Sequence, residues 1–232
     1  MGDDDMAHDP HDHDHHHHHD HAHSHAHDLA PLTAHAPPQA DEKVHAYHQL
    51  LGLALKELLI EKGVFTAEDI RKAIEYRDSI TPAMGAKIVA RAWTDPAYKK
   101  RLIADGTAAI KELGHDMGAL HLVVVENTQD VHNVIVCTLC SCYPRAILGL
   151  PPSWYKSREY RARAVREPRA VLREFGTSIP DSVEVRVHDS TADMRYLVLP
   201  MRPEGTEKLG ETELAALVTR DCMIGVTLPE PA

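Results

Sequence analysis

Apolar positions change their period along the chain, and that change predicts its elements. Val44, Tyr47, Leu51, Leu55, Leu58 and Leu59 recur at intervals of three and four, the repeat of one helix face. They predict an amphipathic helix to about Lys62, ended by Gly63. Thr66 with Asp69 three residues on forms a capping-box signal for a helix to about Asp78. Thr81-Pro82 opens another, since proline suits the first helical position. Asp95-Pro96 repeats the signal before a helix from Tyr98 to Leu113, with Gly106 as its weak point. The pattern then shifts. Residues 120–125 and 131–136 are β-branched runs separated by a turn at Glu126-Asn127-Thr128-Gln129-Asp130, which predicts strands. Residues 158–175 read as helical and Arg-rich. Val183, Val185 and Val187 alternate with charged residues, the mark of a half-buried strand. Residues 194–199 predict another strand, Thr212 to Arg220 a helix, and Cys222 to Leu228 a last strand. Periodicity alone therefore gives an α+β protein.

Composition refines this. The chain has 232 residues, 43% of them hydrophobic, with two Phe and two Trp, so aliphatic side chains must build the core. The formal charge is −10, which argues against nucleic-acid binding. No run of eighteen apolar residues predicts a membrane span. The acidic, His-rich start is not a secretory signal, and so few, crowded cysteines suit a reducing cytoplasm better than a disulfide scaffold. Twelve of the nineteen histidines fall in residues 8–27, interleaved with Asp. Such a tract cannot bury a core and is expected to be disordered. It is either a store of imidazoles for divalent metal or a solubilising tail. Three segments follow: residues 1–42, a His/Asp-rich tail with a Pro linker; residues 43–115, a helical arm; residues 116–232, an α+β metal-binding catalytic domain.

The chemistry concentrates in Val136-Cys137-Thr138-Leu139-Cys140-Ser141-Cys142, where three of the four cysteines lie within six residues. Neighbouring cysteines at these spacings strain any bridge, because a disulfide sets its Cα atoms about 5.5–6 Å apart. A structural zinc site pairs two separated knuckles, and no second knuckle exists here. Three sulfurs on one loop can instead converge on a single ion. Should the amide nitrogens of Ser141 and Cys142 lose their protons, five anionic donors would surround the ion and leave one position open. Such donors favour a trivalent low-spin cobalt or iron, acting as a Lewis acid at the open position. The strand over residues 131–136 leads straight into this loop. His121 and His132 read as packing or surface residues, Trp154 and Tyr155 as core, and Cys222 as a small buried hydrophobe. Asp189, Asp193 and Arg195, at strand ends, are either supports of the metal loop or surface pairs.

The string Val-Cys-Thr-Leu-Cys-Ser-Cys-Tyr-Pro-Arg resembles the metal-binding signature of the nitrile hydratase α subunit. The flanks resemble it too: Val123 to Thr128, Val131 to Val136, Leu148 to Lys156, Tyr160 to Arg163, Val165 to Arg169, Arg186 to Ser190, Arg195-Tyr196, and Arg220 to Val226. The resemblance spans roughly residues 45–228 and implies a four-layer α/β/β/α arrangement. It implies that Cys137, Cys140 and Cys142 ligate through sulfur, and Ser141 and Cys142 through their amides. Cys140 would be oxidised to sulfinic acid and Cys142 to sulfenic acid, and Cys140 and Cys142 would be the catalytic pair. Thr138 in the second claw position goes with cobalt, as Co3+; serine there goes with iron. The implied activity is hydration of a small-molecule nitrile to its amide. The implied partners are a β subunit, whose arginines hold the oxidised sulfurs, and a cobalt-loading activator protein. Two rivals remain open: the γ subunit of thiocyanate hydrolase, which shares the claw, and a non-enzymatic cobalt or nickel storage protein.

Overall fold

The computed structural model describes residues 42–140 and 142–230, and side chains from residue 46. The His-rich tail, the Pro linker and Ser141 lie outside the described residues, and with them the expectations placed there. The first helix, α1 (Glu42–Glu61), ends as its periodicity predicts. Gly63 adopts φ +68°, and the Val64 N–H reaches back to the Leu59 carbonyl at 3.0 Å, a Schellman closure. The next helix, α2 (Ala67–Ser79), begins in a full capping box. The Asp69 amide donates to Thr66 Oγ1 at 3.1 Å, and the Thr66 amide donates to Asp69 Oδ2 at 2.9 Å. No residue of α2 is buried. The stripe Tyr47, Leu51, Leu55 and Leu58 on α1 also faces outward, each residue at least 45% exposed.

Helix α3 (Pro82–Thr94) behaves differently. It buries Gly85, Ala86, Ile88, Val89, Ala90 and Ala92. A Cβ at Gly85 would stand 2.4 Å from Leu148 and 2.7 Å from the Met223 sulfur, so glycine there sets how closely α3 can approach its neighbours. The single helix expected from Tyr98 to Leu113 is two: α4 (Pro96–Ala104) and α5 (Gly106–Lys111). Asp105 causes the break. Its carboxylate accepts the Ala108 N–H at 2.9 Å as a new N-cap, and Gly106 lies against the Leu122 backbone, where a Cβ would stand 2.6 Å from the carbonyl oxygen.

Four strands form two parallel pairs. β1 (His121–Glu126) pairs with β4 (Met194–Leu199), His121 opposite Met194; β2 (Val131–Val136) pairs with β3 (Glu184–Asp189), Val131 opposite Glu184. The turn after β1 thus passes the chain from one sheet to the other rather than closing a hairpin. Asn127 fixes that hand-over: its amide donates to the Leu199 carbonyl at 2.9 Å, and its Oδ1 accepts the Asn133 amide at 2.8 Å. β2 is buried along nearly its whole length, as expected of a strand covered on both faces. Helices α4 and α5 lie on the β1–β4 side with α3 packed against α4, the two sheets face each other, and helices α8 (Arg158–Arg166) and α9 (Pro168–Glu174) lie on the β2–β3 side. This is the layered α/β/β/α order.

Two further expectations change. The segment expected to be helical over residues 158–175 breaks at Pro168 into two helices, and its arginines do not all face solvent. Arg163 is 6% exposed, with Nε 2.5 Å from Glu167 and Nη1 3.0 Å from Glu174. These carboxylates raise its pKa further. Arg169 donates to the carbonyls of Ile179, Pro180 and Val183, tying α9 to the loop before β3. The last strand expected over residues 222–228 is instead helical. After α10 (Glu211–Ala216), Thr219 accepts the Cys222 N–H and caps α11 (Arg220–Ile224), and Gly225, at φ +92°, ends it. The apolar Cys222-Met223-Ile224 is one buried helical turn, a case that periodicity cannot separate from a strand.

Gly225 also meets Asn133 so closely that a Cβ would stand 2.0 Å from its carbonyl oxygen. Gly225→Ala combines a disfavoured φ with a backbone clash and should lose about 2–4 kcal/mol of stability. Urea unfolding followed by circular dichroism measures this.

Candidate metal centre

Cys137 directly follows the buried strand β2 and is itself 1% exposed, so its sulfur is anchored in the core. The chain then turns back. The Cys140 N–H lies 3.3 Å from the Cys137 sulfur. The Cys137 and Cys140 sulfurs are 3.4 Å apart, and those of Cys140 and Cys142 are 3.2 Å apart. Among the described residues these three form the one group of His, Cys, Asp or Glu side chains that could hold a metal ion. None of the four cysteines is in a disulfide, and the separations far exceed a disulfide bond of about 2.05 Å. Two thiolates each about 2.3 Å from one ion stand about 3.3 Å apart at a right angle and about 3.8 Å apart at a tetrahedral angle. The observed separations match the right angle, and so fit a higher-coordinate ion better than a zinc tetrahedron.

Side chains from three elements hold the loop. The parallel register sets Asp189 opposite Val136, which places its carboxylate beside the first turn of the claw. Asp189 accepts the Thr138 N–H at 2.9 Å and the Thr138 hydroxyl at 2.5 Å. On α7 (Ser153–Lys156), Tyr155 donates its hydroxyl to the Cys142 carbonyl at 2.9 Å. On α8, Arg161 reaches the Thr138 carbonyl at 3.4 Å, and the fully buried Tyr160 donates to the Ile135 carbonyl at 2.7 Å. Beneath the loop the rings interlock edge to face: Tyr143 with Tyr155, and Trp154 with Tyr160 and Phe175. The outer side is open. Leu139 is 88% exposed, and Cys140 is exposed.

Electrostatics explain why such a loop calls for a cation. Burial, the hydrogen bond with Cys140 and the charge of Cys137 push the Cys142 thiol up to about 12, while Arg195 draws it down. Crowded sulfurs therefore resist ionising together unless positive charge enters among them, and a bound metal inverts that balance. Arg195 is itself pinned by the carbonyls of Thr191, Ala192 and Met194. It closes the turn between β3 and β4.

The structure sorts the remaining candidates. His121 is exposed. His132 is buried, its Nδ1 3.2 Å from Asn127 and its Nε2 2.7 Å from the Gly225 carbonyl; burial lowers its pKa. Both lie outside the metal group. Cys222 is buried beside Thr219. Asp189 is the strand-end residue that supports the loop. Of Asp193, the contact seen is its backbone carbonyl accepting the His121 N–H at 2.8 Å. Sequence reasoning assigns no loop-holding role to Tyr155, Tyr160 or Arg161: Tyr155 reads as core, and Tyr160-Arg161 belong to the resemblance without a role of their own.

Layered sheets with a three-sulfur loop on the end of a buried strand define a class: proteins whose candidate metal ligands come from one short peptide. Residues 46–227 match the family described as nitrile hydratase, alpha chain, and the chain belongs to that family. It is 49% identical over 205 residues to the low-molecular weight cobalt-containing nitrile hydratase subunit alpha of Rhodococcus rhodochrous, covering 85% of this chain and 97% of that one. It is 47% identical over 195 residues to the thiocyanate hydrolase subunit gamma of Thiobacillus thioparus, covering 79% and 80%. A double mutant of the Fe-type nitrile hydratase from Comamonas testosteroni Ni1 superposes with a TM-score of 0.74 at 47% identity, over 80% of this chain and 91% of that one.

Asp189→Ala leaves the Thr138 N–H and hydroxyl without their acceptor. We expect metal occupancy of the purified protein to fall about 10- to 100-fold, the usual effect of losing an outer support of a metal site. Plasma mass spectrometry after gel filtration measures it.

Proposed function

We propose that this chain is the α subunit of a cobalt-dependent nitrile hydratase, hydrating nitriles to amides. The observation that carries the reading is the convergence of Cys137, Cys140 and Cys142 on one loop that Asp189 and Tyr155 hold. Those three residues would hold the ion through sulfur, joined by the amide nitrogens of Ser141 and Cys142. Thr138 in the second claw position, and cobalt in the names of close relatives, favour cobalt as Co3+ over iron. When bound, such an ion supplies a Lewis-acid position for the nitrile nitrogen.

The chain's own residues would do the rest. Asp189 fixes Thr138, so the loop does not unwind as ligand exchanges. Tyr155 takes up the Cys142 carbonyl and keeps that residue's backbone facing the core. The buried aromatic layer excludes water from below, leaving approach from the Leu139 side. Cys140 as sulfinic acid and Cys142 as sulfenic acid would flank the reacting carbon. Attack comes either from a water held there or from the sulfenate oxygen of Cys142. By either route the net change is one water added across the triple bond, with both of its protons ending on the amide nitrogen: a water that attacks directly gives its oxygen to carbon, whereas attack by the sulfenate gives the Cys142 oxygen to carbon and a water then restores the sulfenate. A β subunit would complete the site with arginines on the oxidised sulfurs, and an activator protein would load the cobalt. No helix of the described residues is long and apolar enough to cross a membrane, and the reading places the enzyme in the cytoplasm.

The thiocyanate hydrolase γ subunit is the second reading, favoured by 47% identity over 195 residues. Both substrates end in a carbon–nitrogen triple bond, so the partners discriminate. Co-purification of one β chain with activity on nitriles supports the first reading; two companion chains with activity on thiocyanate support the second. Mass spectrometry of the peptide spanning residues 137–142 from cobalt-loaded protein should show the added mass of three oxygens. Unmodified thiols holding cobalt that chelators strip readily would instead mark a storage protein.

A further inference from the structure

We propose that a pocket beside the claw is a docking site for the partner chain, and that the group it receives is a carboxylate set among apolar side chains. That chain is the β subunit, an identity that rests on the reading above. The pocket has a volume of about 470 Å³ and lies between the C-terminal half of α2 and the short helix α6 (Arg145–Leu148). Ile74, Ile80 and Leu150 give it an apolar lining, and Arg77, Asp78 and Arg145 bring charge to it.

Three observations mark it as a place for another chain. Its wall is fixed. Gly149, at φ +69°, lies so near the Ile80 backbone that a Cβ would stand 2.5 Å from the carbonyl oxygen, so the segment after α2 and the end of α6 keep a set spacing. Its apolar part is open, since Ile74 and Leu150 are each more than half exposed, and exposed apolar surface rimmed by polar groups marks an interaction site. Its guanidiniums are uncommitted. Arg71, Arg91, Arg101, Arg163 and Arg186 each meet a carboxylate. Among the described residues the side chains of Arg77 and Arg145 make neither a hydrogen bond nor an ion pair, and Asp78 pairs with neither of them. Two guanidiniums against one carboxylate leave a positive spot on a chain whose formal charge is −10.

The chemistry of the pocket selects its occupant. The fork of guanidinium N–H donors matches the two oxygens of a carboxylate, and apolar neighbours of that carboxylate would cover Ile74 and Leu150. An inorganic anion leaves those two side chains in water. A purely apolar segment buries the guanidiniums unpaired, which is costly. A second copy of this acidic chain brings the repulsion of like net charge. The consequence reaches the claw. Arg145 is the third residue after Cys142, its N–H donates to the Tyr143 carbonyl at 2.8 Å, and Tyr143 is buried. A carboxylate on Arg145 therefore steadies the arm that leaves the last sulfur, as Asp189 steadies the arm that leaves the first.

The test uses the full-length chain and the β chain that co-purifies with it, with dissociation constants measured by biolayer interferometry at low and high salt. R77E/R145E should weaken association about 100-fold at low salt, the effect of setting like charges face to face, and less at high salt. R77K/R145K, which keeps the charge, should fall between that variant and the natural chain. R173E makes an equal charge change at an exposed arginine of α9 whose side chain also lacks a partner among the described residues, and it should leave association unchanged. Both pocket arginines are exposed, so the variants should keep the fold, as circular dichroism checks. Carbodiimide then couples the introduced amines of R77K/R145K to any carboxylate in contact, forming an amide with loss of water, and peptide mass spectrometry reads the residue joined. An Asp, Glu or C-terminal carboxylate of the β chain is the expected result. Coupling to Asp78 alone, to a second copy of this chain alone, or to nothing overturns the docking site. So does R77E/R145E that binds the β chain as the natural chain does, or R173E that weakens binding as much. Each of those outcomes leaves the α-subunit reading standing. A natural chain with which no β chain co-purifies refutes that reading, and the occupant of the pocket with it.

Discussion

The hydrogen bonds between Asp189 and Thr138 tie the centre to the fold. A loop of six residues with three crowded thiols has no stability of its own, because ordering each residue costs about 1–2 kcal/mol of backbone entropy. Parallel pairing of β2 and β3 brings Asp189 level with Val136, so one carboxylate closes two hydrogen bonds on the first residue after Cys137. Parallel neighbours need a crossover between them, and here the crossover itself carries the claw, α7, α8 and α9. The residues that steady the loop thus arrive on the same excursion that creates it. Tyr155 binds the last cysteine from α7 and Arg161 binds the second claw residue from α8.

Close backbone approach gives the layers their spacing. Gly85 lets α3 meet Leu148 and Met223, Gly106 lets α5 meet β1, and Gly225 lets the end of α11 touch β2. The last contact matters most for the centre. It leans on Asn133, whose side chain also binds the Glu126 carbonyl and receives His188. One asparagine on β2 therefore ties together the turn after β1, strand β3 and the C-terminal helix. The strand that ends in Cys137 is fixed at both ends, by Asn133 below and by Tyr160 on the Ile135 carbonyl above.

Local signals were legible in the sequence, and long-range ones were not. Gly63 and the Thr66–Asp69 box announce the ends of α1 and α2 because the atoms concerned lie within a few residues. The claw could be read for the same reason, all three sulfurs falling inside one turn of chain. Its supports could not be read. Asp189 stands 51 residues from Thr138, Arg161 stands 23 away, and Tyr155 stands 13 from Cys142; the strand register brings in the first, and the packing of the crossover helices brings in the other two. The hand-over between sheets was hidden likewise, since a turn after a strand looks the same whether it closes a hairpin or changes layer. At residues 105 and 219–225 the misreadings have one cause. A side-chain cap redirected the backbone where apolar period suggested continuity. The Arg-rich segment misled because composition cannot show that Glu167 and Glu174 turn inward to meet Arg163.

The outward stripe of α1 has a practical side. Tyr47, Leu51, Leu55 and Leu58 stand in water along one face of the first described helix. At roughly 25 cal/mol per Å² of apolar surface, their concealment is a driving force of several kcal/mol. A chain made in excess over whatever covers that face will therefore self-associate as its concentration rises, in its helical end rather than at its cysteines.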